Sequence, residues 1–317
     1  MHPCTDTYPR TRGARRGTYS IVARDPETGA MAVGVQTHWF NVGGLVPWGE
    51  AGVGVVATQA NVDVSYGPRA LDLLRGGASA EDALARLTAE DAHAGVRQVA
   101  VLDARGGRAA HTGTGCMAHA GHALGDDHAA QANMMASDAV WGAMSRGFAA
   151  STATLPRRIL DALDAGEAAG GDVRGRQSAA LLVVPAAGER WSRIVDLRVE
   201  DHPEPLAELR RLVGLHDAYV YAGEGDRLVG EGDHAAAAAE YVRAYELAPD
   251  SLELRFWAGL ALVGSGDEDR GLEHLRAVIA AHGGWAELLS RLTPGDAPAA
   301  ARAREALGIA DASPSAG

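Results

Sequence analysis

Strand-like segments in this sequence come in antiparallel pairs, and successive groups of strands are separated by two helix-like segments. No other feature narrows the fold as far. Tyr19–Arg24 and Ala30–Gln36 are joined by Asp25-Pro-Glu-Thr-Gly29, where proline sets the first corner and glycine closes the turn, so the two predict a hairpin. Gly52–Thr58 reads as a third strand. The period then changes: Gly67–Gly76 and Ala80–Ala89 carry apolar residues at helical spacing, the second opened by Ser79 with Asp82 three residues on, a capping-box-like start. Arg97–Leu102 and Arg108–Gly113 flank Asp-Ala-Arg-Gly-Gly as a second hairpin, and His128–Asn133 is a further strand. Two helices follow, about 138–149 and 155–168, then a glycine-rich break at 170–175. Gln177–Val184 and Ser192–Val199 close the pattern as strands. A parallel doubly wound sheet alternates single strands with single helices. This order instead predicts an α+β fold: two stacked antiparallel sheets with helices outside, a four-layer αββα sandwich, is the preferred arrangement, and a split α+β layer the alternative.

The last third is of another kind. Residues 200–317 hold 21 acidic and 10 basic side chains, a net of −11, whereas residues 1–199 hold 20 and 19, a net of −1. Gly230-Glu-Gly-Asp233 recurs as Gly264-Ser-Gly-Asp267, and each is followed by a helix-like run, 235–247 and 270–281. The alternate helices are 216–229 and 252–263. A 34-residue helix–turn–helix period predicts a short all-α, tetratricopeptide-like array. The expected organisation is a leader at 1–17, a sandwich domain at 18–204, helical repeats at 205–295 and a flexible tail at 296–317. So short an array must dock on the first domain, pair with a second copy in a homo-oligomer, or hold a protein partner, for which its charge favours a basic surface.

Several classes are excluded. All 29 basic side chains are arginine, so Schiff-base, P-loop and serine–lysine chemistry have no lysine to work with. Neither part carries a basic stripe for nucleic acid, and no apolar run approaches the roughly 18 residues of a membrane span. The first 17 residues have no apolar core and do not read as a secretory signal, and Cys4 and Cys116 have no metal-ligand spacing. A reducing, cytoplasmic setting is therefore expected. His119-x-x-His122 has zinc-like spacing, but it lies in a glycine-rich loop without an evident third ligand, so no metal or other cofactor is expected.

Tyr19-Ser-Ile-Val-Ala-Arg-Asp-Pro-Glu-Thr-Gly29, Val33-Gly-Val-Gln36, Val46-Pro-Trp48, Gly52–Ala60, Tyr66-Gly-Pro68, Gln131-Ala-Asn-Met134, Gly170–Ala179 and Asp201-His-Pro203 resemble, in order, the motifs of the DUF1028 family over about residues 18–212. That family is of unknown function and is grouped with the N-terminal nucleophile hydrolases. The resemblance implies the αββα sandwich and hydrolysis of an amide, lactam or ureido bond of a small molecule. Such chemistry starts from a hydroxyl or thiol residue at the head of the first strand. Its own freed α-amine, with a pKa of about 7.7–8.0, serves as base. Gly17-Thr18 is the plausible cut point, which makes Thr18 the first nucleophile candidate and Ser20, on the same strand face, the second. If nothing cleaves after Gly17, neither has a free amine. The lysine that proteasome-type members set beside the nucleophile is absent, so Arg24 or Arg176 would have to supply positive charge.

Further candidates stand at strand ends or in polar loops. Thr58 and Gln59 close one strand and could hold an amide or oxyanion, Gln36 could do the same from the neighbouring strand, and Asn133 could orient a carbonyl. Asp172, Arg174, Arg176 and Gln177 form a dense polar loop in which an arginine fork would suit a substrate carboxylate. The alternative function is a non-catalytic small-molecule-binding or scaffold protein that holds a partner through its repeats. The absent lysine and the leader favour that reading.

Overall fold

The computed structural model describes residues 17–312. The expected leader up to residue 16, Cys4 and the last five residues lie outside them. The chain divides into two compact units at Arg211/Leu212.

The first unit begins with β1 (Thr18–Arg24), β2 (Met31–Thr37), β3 (Pro47–Glu50) and β4 (Gly54–Ala60), followed by α1 (Tyr66–Arg75) and α2 (Ala80–Glu90). Then come β5 (Arg97–Asp103), β6 (Arg108–Thr112), β7 (Gly121–Gly125) and β8 (His128–Asn133), α3 (Val140–Ala150) and α4 (Leu155–Ala168), and finally β9 (Ser178–Val184) and β10 (Val195–Val199). Among the described residues the strands form a six-stranded sheet, β10-β9-β2-β1-β8-β7, and a four-stranded sheet, β3-β4-β5-β6, with every pairing antiparallel. β1 and β8 lie against β4 and β5 of the other sheet, α1 and α2 cover the outside of the small sheet, and α3 and α4 that of the large one. This is the αββα sandwich.

Layering explains why the central strands are apolar throughout rather than alternating: one face meets the other sheet and the other meets helices. Val22, Val33, Val35, Ala129 and Leu182 of the large sheet share one buried cluster with Val55, Ala57, Ala100 and Leu102 of the small sheet. The opposite face of the small sheet packs Val56, Val99 and Val101 on Tyr66, Leu71, Leu84 and Leu87. Ser79 caps α2 as its spacing foretold, its hydroxyl accepting from the Asp82 N–H at 3.0 Å. β3 and β7 are strands that the sequence pattern does not announce. Both are short edge strands; β3 opens on a proline, and β7 alternates small and exposed residues in a glycine- and histidine-rich stretch.

The unit boundary falls within α5 (Pro205–Glu231), which starts well before the expected His216 because nothing between Pro205 and that point stops a helix; the lone Gly214 is tolerated. The second unit continues with α6 (His234–Leu247), α7 (Leu252–Ser265), α8 (Glu268–Ala281), α9 (Gly284–Arg291) and α10 (Ala300–Leu307). Gly232 and Gly266, 34 residues apart, both take the left-handed conformation (φ 80° and 99°) at helix–helix turns, and the aspartate after each precedes a helix. Ala297, Ala299, Ala300 and Ala303 are buried with Phe256, Leu260 and Leu275. Residues 297–307 thus belong to the helical core, where their composition suggests a flexible tail. Among the described residues, no helix is long and apolar enough to cross a membrane.

Candidate active site

β1 is an inner strand of the large sheet, paired with β2 and β8, so the two strand registers decide what surrounds its first residue. Thr18 stands opposite Thr37 on one side and Asn133 on the other. Side-chain parity then puts Thr18, Ser20 and Val22 on the face toward the other sheet and Tyr19 on the face toward α4. Thr18 is 2% exposed. Its hydroxyl donates to Thr37 Oγ1 at 3.1 Å, and Thr37 in turn donates to the carbonyl of Gly17.

Below Thr18 lies a layer of buried amides. Ser20 donates to Gln59 Oε1 at 2.7 Å. Gln59 Nε2 donates to the Thr18 carbonyl at 3.0 Å and to Gln98 Oε1 at 2.7 Å, and Asn133 Nδ2 donates to the same Gln98 oxygen at 2.9 Å. Gln131 Nε2 reaches Ser20 Oγ at 3.2 Å and the Ala57 carbonyl at 3.0 Å. Its Oε1 has no partner among the described residues, although buried amide oxygens are normally satisfied. Gln59, Gln98, Gln131 and Asn133 come from three strands in two sheets, β4, β5 and β8, so the network ties the layers together beneath β1.

The loop before β9 closes the other side. Asp172, whose side chain is wholly buried, accepts from Arg174 at 2.8 and 3.1 Å and from the His38 N–H at 3.1 Å. Arg174 also donates to the Gly17 carbonyl at 3.0 Å, giving that oxygen two side-chain donors. A Cβ at Gly17 would come within 2.7 Å of Asp172 Oδ2, so only glycine fits against this carboxylate. Beside Thr18, Thr37, Trp39 and Gln59 is a cavity of about 10 Å³, barely room for one water.

Thr18, Ser20, Gln59, Asn133, Asp172 and Arg174 thus come together around the Gly17–Thr18 peptide. The other candidates do not. Gln36 pairs in register with Tyr19 and faces α4; with its nitrogen toward Glu167 it donates at 2.9 Å while its oxygen accepts from the Thr37 N–H at 3.1 Å. Tyr19 donates to Glu167 at 2.7 Å, and burial followed by the Glu167 charge holds its phenol well above its ordinary pKa. Thr58 faces the helix side of its sheet, donating to the Asp63 carbonyl at 3.2 Å. Arg176 pairs with Glu167 and Glu204, Gln177 with Asp201, and Arg24 with Asp127 near the far end of β1. The cation at the site is therefore Arg174, not Arg24 or Arg176. Thr37, Gln98 and Gln131 complete the site, and their one mark in the sequence is to be polar residues at inward parity in apolar strands. His119 pairs with Asp138 at 2.8 Å, and among the described residues no three His, Cys, Asp or Glu side chains converge as metal ligands would.

The family model for DUF1028, a family of unknown function, matches residues 18–209. The chain belongs to the DUF1028 family. A DUF1028 protein from Silicibacter pomeroyi, known from its crystal structure, superposes with a TM-score of 0.58 at 37% sequence identity, covering 62% of this chain and 84% of that one. No curated protein matches the chain. The DUF1028 match begins at the threonine just described and takes in the amide layer and the Asp172–Arg174 loop, while α6 to α10 lie beyond it.

Proposed function

We propose that this DUF1028 protein is a hydrolase of small amide, lactam or ureido compounds that uses Thr18 as an N-terminal nucleophile. The observation that carries this reading is the Gly17 carbonyl, which accepts from both Thr37 and Arg174 immediately before a strand-initial threonine. Two donors on one peptide carbonyl draw electrons from its carbon and stabilise the oxyanion formed when a hydroxyl adds there. Attack by Thr18 Oγ forms an ester to Gly17 as the Gly17–Thr18 C–N bond breaks, the hydroxyl proton passing to the departing nitrogen. Water then hydrolyses the ester, leaving Thr18 with a free α-amine. In turnover that amine takes the Thr18 hydroxyl proton as the oxygen attacks a substrate carbonyl, then passes it to the departing nitrogen. The same two donors serve the substrate's oxyanion, and water releases the acyl group. Arginine supplies charge and hydrogen bonds here but cannot be the base.

A second reading, a binding or scaffold protein with no turnover, is favoured by the cavity of about 10 Å³ beside Thr18, too small for a substrate while Gly17 is in place. Intact mass and N-terminal sequencing separate the two. We expect a chain beginning at Thr18 in the wild type and an uncut chain in Thr18→Ala, with hydrolysis of a panel of small amides confined to the cut form. A full-length chain that turns over an amide would sink the free-amine mechanism.

A further inference from the structure

A second site stands in the helical unit, outside the DUF1028 match and apart from the chemistry above. A cavity of about 310 Å³ is lined by the end of α5, by α6 and α7, and by the 295–299 segment that leads into α10. Its volume is in the range of small-ligand sites. Val229, Ala237, Leu260 and Ala261 supply apolar wall, Tyr241, Trp257 and His234 also line it, and so do the acidic residues Asp226 and Asp296. Tyr241 donates its hydroxyl to Asp226, which fixes that carboxylate at the cavity.

The charges around this cavity are uneven. Glu224 and Glu231, close to Asp226 in sequence, are both held by Arg227, at 2.6 Å in the case of Glu224. Among the described residues no arginine pairs with Asp226 or Asp296, and none lines the cavity. Asp296 accepts from the N–H and hydroxyl of Thr293, at 2.9 and 2.7 Å. Two exposed carboxylates that no arginine pairs among the described residues, at a cavity that also holds His234, Tyr241, Trp257 and an apolar wall, suit a ligand that brings positive charge on a hydrophobic stem. Carboxylates pair with its head, aromatic side chains favour a cation nearby, and the apolar wall takes the stem. An anion would meet two like charges, and a neutral apolar ligand would gain nothing from either carboxylate.

We propose that this cavity binds a small organic cation, an ammonium or guanidinium head on a short apolar stem. Isothermal titration of the full-length protein with 2-phenylethylammonium and with agmatine tests it, using 2-phenylethanol and 3-phenylpropionate as neutral and anionic counterparts. Saturable binding of at least one cation is expected, roughly tenfold or more tighter than the neutral analogue, with no binding of the carboxylate. Asp226→Asn keeps an acceptor for Tyr241 and should lower the cation's affinity by a similar factor. Gly230→Leu is the second variant: Gly230 lines the cavity and a Cβ there meets nothing within 4 Å, so a larger side chain is accommodated at its edge without disturbing the helices, and binding should weaken at least tenfold. Thr18→Ala should leave binding unchanged, which separates this site from the proposed hydrolase. No saturable binding of either cation up to about 10 mM, equal binding of the neutral analogue, or binding indifferent to both Asp226→Asn and Gly230→Leu would overturn the proposal.

Discussion

Thr37 occupies a position with two consequences. Its hydroxyl accepts from Thr18 and donates to the Gly17 carbonyl, so one side chain touches both the attacking oxygen and the carbonyl of the bond to be broken. Removing one such donor typically slows an acyl-transfer step by about 10²–10³-fold. Thr37→Val keeps the shape and loses the hydroxyl, and Thr37→Ser keeps the hydroxyl. Freshly purified Thr37→Val should retain uncut chain by intact mass, while Thr37→Ser should be cut like the wild type. Equal cutting in all three would remove Thr37 from the chemistry. Arg174 is a less clean probe, because it also neutralises the buried Asp172, and its loss would leave that carboxylate unpaired.

At the scale of strands and helices, pattern and parity decided what could be read in advance. The order of strand groups and helix pairs is written in the switch between periods, which is why the sandwich was legible. Parity placed Thr18 and Ser20 together. It could not say which face of β2 or β4 meets the other sheet, because central strands buried on both sides carry no polar mark of orientation; Gln36 and Thr58 turned out to face helices, and Thr37 and Gln59 the site. Nor could spacing tell Arg174 from Arg176, since that depends on the path of a loop. His128, at the start of β8, shows how an element end can also respond to acid. It is 2% exposed, packs with its ring centroid 4.8 Å from that of Phe148 at a tilt of 47°, donates from Nδ1 to the Asp126 carbonyl at 2.8 Å and accepts at Nε2 from Ser145 at 2.8 Å. Burial, with Arg108 and Arg158 adding to it, lowers its pKa below the ordinary value of about 6.5. The unfolded chain therefore takes up this proton at a higher pH than the folded one. The contribution is fully present above about 6.5 and is lost as pH falls through the folded value. His122, lowered by burial and by His111, acts in the same direction. Urea midpoints should fall between pH 7 and 5, and less steeply in His128→Asn. An unchanged slope would assign the acid sensitivity elsewhere.

For the whole molecule, the absence of lysine is a usable property. The chain has one primary amine, its α-amino group, wherever it begins. An amine-reactive ester applied near pH 7.5 should therefore add a single label, and the position of that label reports the N-terminus of every molecule in the sample. Trypsin can cut only after arginine, and Arg16 and Arg24 bracket the proposed scissile bond. A processed chain yields Thr18–Arg24 carrying the label on Thr18. An unprocessed chain yields unlabelled Gly17–Arg24, with the label on some earlier residue. The proposed mechanism requires the first product and adds a further demand: one label per chain, on the amine that serves as base, should abolish amide hydrolysis while leaving the cation site of the helical unit able to bind. Labelled Thr18 with full hydrolytic activity would show that the chain is cut but that its amine does no work, and the nucleophile would then need another base within reach of β1.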